Sequence, residues 1–177
     1  MKFSLIIFFY TILLSGCSFF ANDEEDPVEP PAELIDIDQE LDINRVWRTK
    51  IGSGSSRLRL GLSPSSDGDN VYAGSYDGSI LAFDIREGRR VWSRNTDYSL
   101  SAGPAYLNNI LAFGTSDGDL VLFDSDSGEE LWKKNIGSEI LASPVMQNNI
   151  IAVKTVDGRI RGYSSLDGRE LWSIQQN

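Results

Sequence analysis

The sequence repeats at an interval of 40 residues, which constrains the fold more than any other feature of the chain. Trp92, Trp132 and Trp172 are separated by this interval, and prolines and glycine-containing turns recur at constant offsets from them. A fixed period near 40 predicts a repeat architecture. The other repeated positions are Pro64, Pro104 and Pro144; Asp77-Gly78, Asp117-Gly118 and Asp157-Gly158; and Glu87-Gly88, Ser127-Gly128 and Asp167-Gly168.

Each unit contains four short runs of β-branched and aromatic residues bounded by turn residues, a pattern typical of strands joined by hairpins. The Asp-Gly pairs predict type I′ turns, which need positive φ at both central residues. The prolines have no backbone N–H to donate to a neighbouring strand, so they should lie at strand ends or on edge strands. Four antiparallel strands in 40 residues predict one β-propeller blade. We therefore expect an all-β fold with about three four-stranded antiparallel blades. In the second unit the runs are 102–106, 110–113, 119–123 and 130–132.

The tryptophans are predicted to pack between blades, because one four-stranded sheet cannot cover both of its apolar faces. A buried indole removes a large apolar area from water; the alternative is stacking on a carbohydrate. Trp47 precedes Trp92 by 45 residues, so the first connection carries a five-residue insertion. The loop Ser53–Leu60, with Arg57 and Arg59, is either a binding loop or a solvated one. The predicted blade-docking residues are Trp47, Trp92, Trp132 and Trp172.

The repeated pattern Ser-Pro … Asn-Asn-Ile … Gly-Thr-Ser-Asp-Gly … Leu-Phe-Asp … Ser-Gly … Leu-Trp resembles the PQQ-type β-propeller repeat with its tryptophan-docking motif. The resemblance covers roughly residues 45–173. WD40 repeats differ, because their Gly-His and Trp-Asp dipeptides are missing here.

Residues 1–17 have the form of a signal peptide. Lys2 precedes the apolar stretch Phe3 through Leu14, which is short for a transmembrane helix. The following Leu14-Ser15-Gly16-Cys17 resembles the lipobox of bacterial lipoproteins, which implies lipid attachment at Cys17. An ordinary secretory signal is the alternative. By the sorting rule of that family, a serine such as Ser18 directly after the cysteine implies transport to the outer membrane.

Residues 18–44 contain ten acidic residues and no lysine or arginine, leaving 16 acidic and 15 basic residues in 45–177. With three prolines, this segment is predicted to be an extended, disordered tether. Residues 45–177 form the predicted partial propeller. No basic face supports nucleic-acid binding.

No constellation of catalytic residues is present. The chain has no histidine and one cysteine, which excludes Ser-His-Asp and Cys-His sites and the usual zinc spheres. The strings Asp67–Asn70 and Asp124–Gly128 lack the offsets of an EF-hand, and we interpret them as turns. We predict no catalytic residue, no metal site and no cofactor.

Lipobox, acidic tether and propeller together resemble the BamB family of outer-membrane protein assembly lipoproteins; 46–54 is similar to the segment that opens that family's ring. The resemblance implies an eight-bladed, non-catalytic scaffold on the periplasmic face of the outer membrane. It also implies docking on the barrel-inserting, BamA-like subunit and help in folding and inserting outer-membrane proteins. The alternative is a quinoprotein dehydrogenase or a ligand-binding propeller. The vicinal disulfide frequent in quinoproteins cannot form with one cysteine.

Eight blades need roughly 320 residues at about 40 residues a blade, whereas three units occupy 54–173. We expect an open arc, either an N-terminal piece of a longer protein or a natural short form. The strand expected around Trp47 would then lack partners. The partner-docking residues implied by the resemblance would lie beyond Asn177. The third unit departs from the pattern at Lys154, Arg161 and Ser164.

Overall fold

A computed structural model describes residues 30–33, 41–54 and 58–175. Cys17, the predicted signal peptide and most of the predicted tether lie outside these residues. Among the residues described there is no helix with the length and apolarity needed to cross a bilayer. The strands are β1 (Gly61–Leu62), β2 (Ser65–Ser66), β3 (Asn70–Gly74), β4 (Ser79–Asp84), β5 (Arg90–Asn95), β6 (Leu100–Leu107), β7 (Ile110–Thr115), β8 (Asp119–Asp124), β9 (Glu130–Asn135), β10 (Val145–Gln147), β11 (Ile150–Lys154), β12 (Arg159–Ser164) and β13 (Glu170–Gln175).

The strands form three sheets, one for each sequence unit. Blade 1 has the order β2-β3-β4-β5, blade 2 the order β6-β7-β8-β9, and blade 3 the order β10-β11-β12-β13. All pairs within a blade are antiparallel, while β1 joins blade 2 by a short parallel pairing with β6. The prediction of an all-β fold of four-stranded antiparallel blades is confirmed.

The prediction that the Asp-Gly pairs form type I′ turns is wrong. Only the glycine of each Asp-Gly pair has positive φ, so these are not type I′ turns. The turn from β3 to β4 spans four residues, closed by Ser75 N–H donating to Ser79 O at 2.9 Å and Gly78 N–H donating to Ser75 O at 3.0 Å. The left-handed pairs are instead Asn108-Asn109 and Asn148-Asn149. Positive φ at both residues of a two-residue loop is typical of the type I′ turn, whose twist matches that of the flanking strands.

Two of the prolines flank strands, and the third lies in an outermost strand of a blade. Pro64 lies between β1 and β2, and Pro144 directly precedes β10. Pro104 lies inside β6, which is the outermost strand of blade 2, and the short strand β1 pairs there only with Ala102 and Gly103. The register of β6 with β7 is interrupted between Ala102 and Ala105, so the missing proline N–H falls where the ladder is already broken.

The expected strand around Trp47 is absent, since the described residues 41–54 contain no strand. A strand needs a neighbour for its backbone hydrogen bonds, and no described strand pairs with this segment. It packs on blade 1 through side chains instead.

Two apolar clusters hold the blades together, one at each boundary. The first joins blades 1 and 2 and includes Tyr72, Phe113 and Phe123, whereas the second joins blades 2 and 3 and includes Leu120, Leu122 and Tyr163. Blade 2 contributes to both, and the middle of β8 is buried residue after residue. Such a continuous apolar run is expected of a strand covered on both faces.

Candidate functional site

Three indoles make the same contact with the unit that follows them. Trp92 Nε1 donates to Ser125 O at 2.8 Å, and Trp132 Nε1 donates to Ser165 O at 2.9 Å. In both cases the acceptor lies 33 residues further along the chain. A half-buried indole thus fills the space between sheets while its N–H finds a backbone acceptor.

Trp47 makes this contact from a segment without a strand. Its Nε1 donates to Ile85 O at 2.8 Å, and its ring lies 6.2 Å from that of Phe83. The acceptor is 38 residues away, five more than in the later units, as the insertion requires. The segment therefore occupies the position of an outermost strand of a preceding blade.

A glycine lies under each of these three indoles. A Cβ at Gly88 would lie 2.6 Å from the Trp47 ring, at Gly128 2.7 Å from the Trp92 ring, and at Gly168 3.2 Å from the Trp132 ring. All three also have positive φ, between 67° and 70°. The sequence revealed them only as turn glycines. The constant offset of 36 residues from Trp92 to Gly128 and from Trp132 to Gly168 was the signal that could have revealed the contact.

Trp172 does not make the repeated contact with any described residue. Its side chain is 37% exposed, and its ring lies over Gly162 of its own blade, where a Cβ would overlap it. The corresponding positions in blades 1 and 2 are Ala82 and Leu122. The structure thus brings three of the four predicted tryptophans against a following unit and leaves the fourth at the surface.

A second set of contacts locates the insertion. Ser53 donates its backbone N–H and its hydroxyl to Asp77 Oδ2, at 2.7 and 2.9 Å. The corresponding Ser138 hydroxyl accepts the Asp157 N–H at 3.2 Å. The sequence separations, 24 and 19 residues, again differ by five, so the extra residues lie between Ser53 and Asp77. Of the predicted loop, Arg59 is exposed and Arg57 lies outside the described residues.

The recurring aspartates at the ends of β4 and β8 close turns. Asp84 Oδ1 accepts the N–H groups of Arg86 and Glu87, and Asp124 Oδ1 accepts those of Asp126 and Ser127. The Glu87 N–H lowers the pKa of Asp84, and the Ser127 hydroxyl lowers that of Asp124. These carboxylates are held ionised by their own turns and do not converge on a common point.

Asp67 is held in a similar way. Its carboxylate accepts from the N–H groups of Asp69 and Asn70 and from the Tyr72 hydroxyl, the last at 2.5 Å. Burial alone would raise the pKa of Asp67, but these hydrogen bonds outweigh it and lower the pKa to about 2. Burial and the same carboxylate raise the pKa of Tyr72 to about 12. Among the described residues, no group of His, Cys, Asp and Glu could hold a metal ion.

The substitutions in blade 3 change its contacts with blade 2. Arg161 takes the place of Val121, and its largely buried guanidinium donates to Ile136 O and pairs with Asp157 Oδ2 at 3.4 Å. A buried cation is tolerated only with such partners. Lys154, which replaces Gly114 of blade 2, is exposed.

Comparison with known proteins gives matches of three kinds. The curated relatives include the outer membrane protein assembly factor BamB of Bordetella pertussis, 38% identical over 52% of this chain and 22% of the relative. The corresponding protein of Taylorella asinigenitalis is 36% identical over 52% of this chain and 23% of the relative. The matched segment thus spans less than a quarter of each relative's length.

Solved structures share the fold. The crystal structure of BamB from Moraxella catarrhalis matches with a TM-score of 0.62 and 22% identity, covering 68% of this chain and 37% of that one. A quinohemoprotein alcohol dehydrogenase from Pseudomonas putida matches with a TM-score of 0.55 and 18% identity, covering 66% and 21%. At these identities the likeness shows the propeller architecture alone.

The family model described as outer membrane protein assembly factor BamB matches residues 42–101 and 76–177. The match begins at the segment that carries Trp47 and includes all three blades with their repeated turns. On this evidence the chain belongs to the family of the outer membrane protein assembly factor BamB.

Proposed function

We propose that this chain serves the assembly of outer-membrane proteins as a non-catalytic scaffold. The observation that carries the proposal is the family match over residues 42–101 and 76–177, together with relatives that are named assembly factors. The hydrogen-bonded aspartates support it, because carboxylates committed to turns such as Asp67 and Asp124 are poor candidates for acid–base work. The quinoprotein alternative has only the shared fold in its favour.

The blade-docking role of the tryptophans belongs to this proposal. Trp47, Trp92 and Trp132 would lock successive sheets into a rigid arc, each through one hydrogen bond and one glycine-packed ring. Stacked repeats contact only their neighbours, so rigidity at each boundary is what keeps distant surface loops in a fixed relation. The same docking role is proposed for Trp172, whose ring lies over Gly162 of its own blade.

Attachment to the membrane is proposed at Cys17. A diacylated cysteine would anchor the chain to the periplasmic face of the outer membrane, because more than one acyl chain is needed for durable attachment. The proposed partner is the barrel-inserting, BamA-like subunit. A rigid propeller held near the membrane could position that subunit or align exposed strands of its clients.

Co-purification tests the partner. A tagged form of the chain, expressed in a Gram-negative host and extracted in mild detergent, should retain the barrel-inserting subunit, detected by immunoblot. An unrelated outer-membrane lipoprotein with the same tag is the negative control. Absence of the subunit from the eluate, while the host's own family member retains it, would overturn the proposed partner.

Metabolic labelling tests the anchor separately. An alkyne analogue of palmitate should label the wild-type chain and should fail to label Cys17→Ser. The Cys17→Ser protein should also leave the membrane fraction. Equal labelling of both proteins would contradict attachment at this residue without bearing on the partner.

A further inference from the structure

The turn between the third and fourth strands of each blade carries different charge in neighbouring blades. In blade 1 the turn and the first residue of the strand that follows carry Arg86, Arg89 and Arg90; the same positions hold Asp126, Glu129 and Glu130 in blade 2, and Leu166, Arg169 and Glu170 in blade 3. All nine side chains are exposed. The turn is closed by the same backbone hydrogen bond in each case, 2.8 to 2.9 Å long. The fold therefore does not require arginine at these positions.

Trp47 holds a segment that carries two more arginines against the same turn. Its indole donates to Ile85 O and covers Gly88, both within this turn. The neighbouring Arg45 and Arg48 are exposed. We call the resulting surface the arginine rim; it consists of Arg45, Arg48, Arg86, Arg89 and Arg90.

The positive charge of the arginine rim is only partly balanced by nearby carboxylates. Glu87 pairs with Arg89 at 3.5 Å, with both side chains 69% exposed, and an ion pair so exposed is weak. The carboxylate of Asp84 already accepts two backbone N–H groups. Asp69 is the third acidic residue beside the turn, since its carbonyl accepts the Ile85 N–H. Among the described residues, the hydrogen bonds and the ion pair thus place three carboxylates beside this turn, against the five arginines of the rim.

We propose that the arginine rim binds a cluster of aspartate and glutamate side chains on a partner polypeptide. Guanidinium groups match carboxylates with paired, charge-assisted hydrogen bonds. Val46 and Val91, which are 81% and 49% exposed, lie among the arginines in the sequence and supply apolar area. Arginines beside apolar side chains are typical of protein interfaces.

A polypeptide fits this surface better than an anionic bilayer does. Arg94 of β5 donates to Ser127 O at 2.6 Å, so the acidic turn of blade 2 lies about one side-chain length from blade 1. A flat anionic membrane resting on the rim would also approach Asp126 and Glu129, which would repel it. A polypeptide segment can contact the rim alone. The rim would bind acidic peptide even if the proposed role in assembly were wrong, so the two proposals can fail independently.

Fluorescence anisotropy with a dye-labelled peptide of alternating glutamate and glycine tests the inference at low ionic strength. The informative variant is Arg86→Asp combined with Arg89→Glu and Arg90→Glu, which gives blade 1 the residues that blade 2 carries in the same turn. We expect at least a tenfold weaker Kd, a factor that corresponds to about 1.4 kcal/mol. The matched control changes three exposed basic residues elsewhere to glutamate and should weaken binding less than about twofold, since it alters only long-range charge. Its positions are Arg59, Lys154 and Arg169.

Three outcomes would overturn the proposal. The first is unchanged binding by the rim variant when circular dichroism shows that it is folded. The second is equal weakening by the rim variant and the control, which would mean that overall charge alone attracts the peptide. The third is a wild-type chain that ignores the peptide but binds phosphatidylglycerol vesicles through the rim, which would identify a membrane surface instead.

Discussion

Gly128 meets two requirements at one residue, and they can be separated by experiment. Its φ is 70°, and a Cβ there would lie 2.7 Å from the Trp92 ring. Gly137 has a φ of 80° but nothing within 4 Å of a Cβ. Gly137→Ala should therefore lower the free energy of unfolding by about 1 kcal/mol, the cost of placing a side chain on left-handed backbone. Gly128→Ala should lower the free energy of unfolding by about 2 to 3 kcal/mol, because the indole of Trp92 must also move. Urea unfolding measures both; equal losses would mean that the ring contact contributes nothing.

Asp67 predicts a specific response to acid. Its pKa is lowered from 3.8 to about 2 in the folded protein. A carboxylate with a lowered pKa stabilises the fold fully above its unfolded pKa and loses that contribution as the pH falls toward the folded one. The free energy of unfolding should thus fall between pH 4 and pH 2, and less steeply in Asp67→Asn. An unchanged slope in Asp67→Asn would contradict the assignment.

At the scale of the element, the segment 43–54 depends on side-chain contacts because it lacks strand pairing. Trp47 and Ser53 attach it to blade 1 near its two ends. Trp47→Ala should raise the rate of tryptic cleavage after Arg48 and Lys50 by about tenfold or more, since cleavage requires local opening. Val46→Ala, which truncates an exposed side chain, should leave the rate near wild type. Mass spectrometry of the first fragments measures this; equal rates in Trp47→Ala and wild type would show that the indole does not hold the segment.

The turns show which elements can be predicted from short stretches of chain. The Asp-Gly pairs predicted the positions of the hairpins correctly but their turn type wrongly. Each loop has four residues, so the two residues outside the Asp-Gly pair also determine the turn conformation. The Asn108-Asn109 and Asn148-Asn149 turns were predictable from the same rule, since asparagine tolerates the left-handed region. The interruption at Pro104 was not, because it depends on the register of β6 against β7.

For the molecule as a whole, the cost of losing an indole should depend on whether a following unit covers it. Trp132 is half-buried at the boundary with blade 3 and donates to Ser165 O, so Trp132→Ala should cost about 3 kcal/mol. Trp172 is 37% exposed, and Trp172→Ala should cost about 1 kcal/mol or less. Chemical unfolding of this chain followed by far-ultraviolet circular dichroism gives both values. A cost for Trp172→Ala as large as that for Trp132→Ala would show that solvent exposure misjudges its packing.

The candidate site was predicted in part. The tryptophans stand out because they recur with the period, but Trp47 was expected on a strand and lies on none. The glycines beneath the rings escaped notice because a turn alone accounts for them. The arginine rim could not be predicted, since the segment that carries Arg48 is far in sequence from the turn that carries Arg86 and is joined to it through the Trp47 contact.

The sequence by itself determined the number of blades, the strands within each and the positions of the hairpins. These depend on alternation and turn chemistry over a few residues, which any stretch of chain carries locally. Tertiary structure decided which carbonyl each indole binds, where the inserted residues lie and which surface charges become neighbours. These relations join residues 24 to 38 positions apart, and they exist only once separate sheets have stacked on their apolar faces.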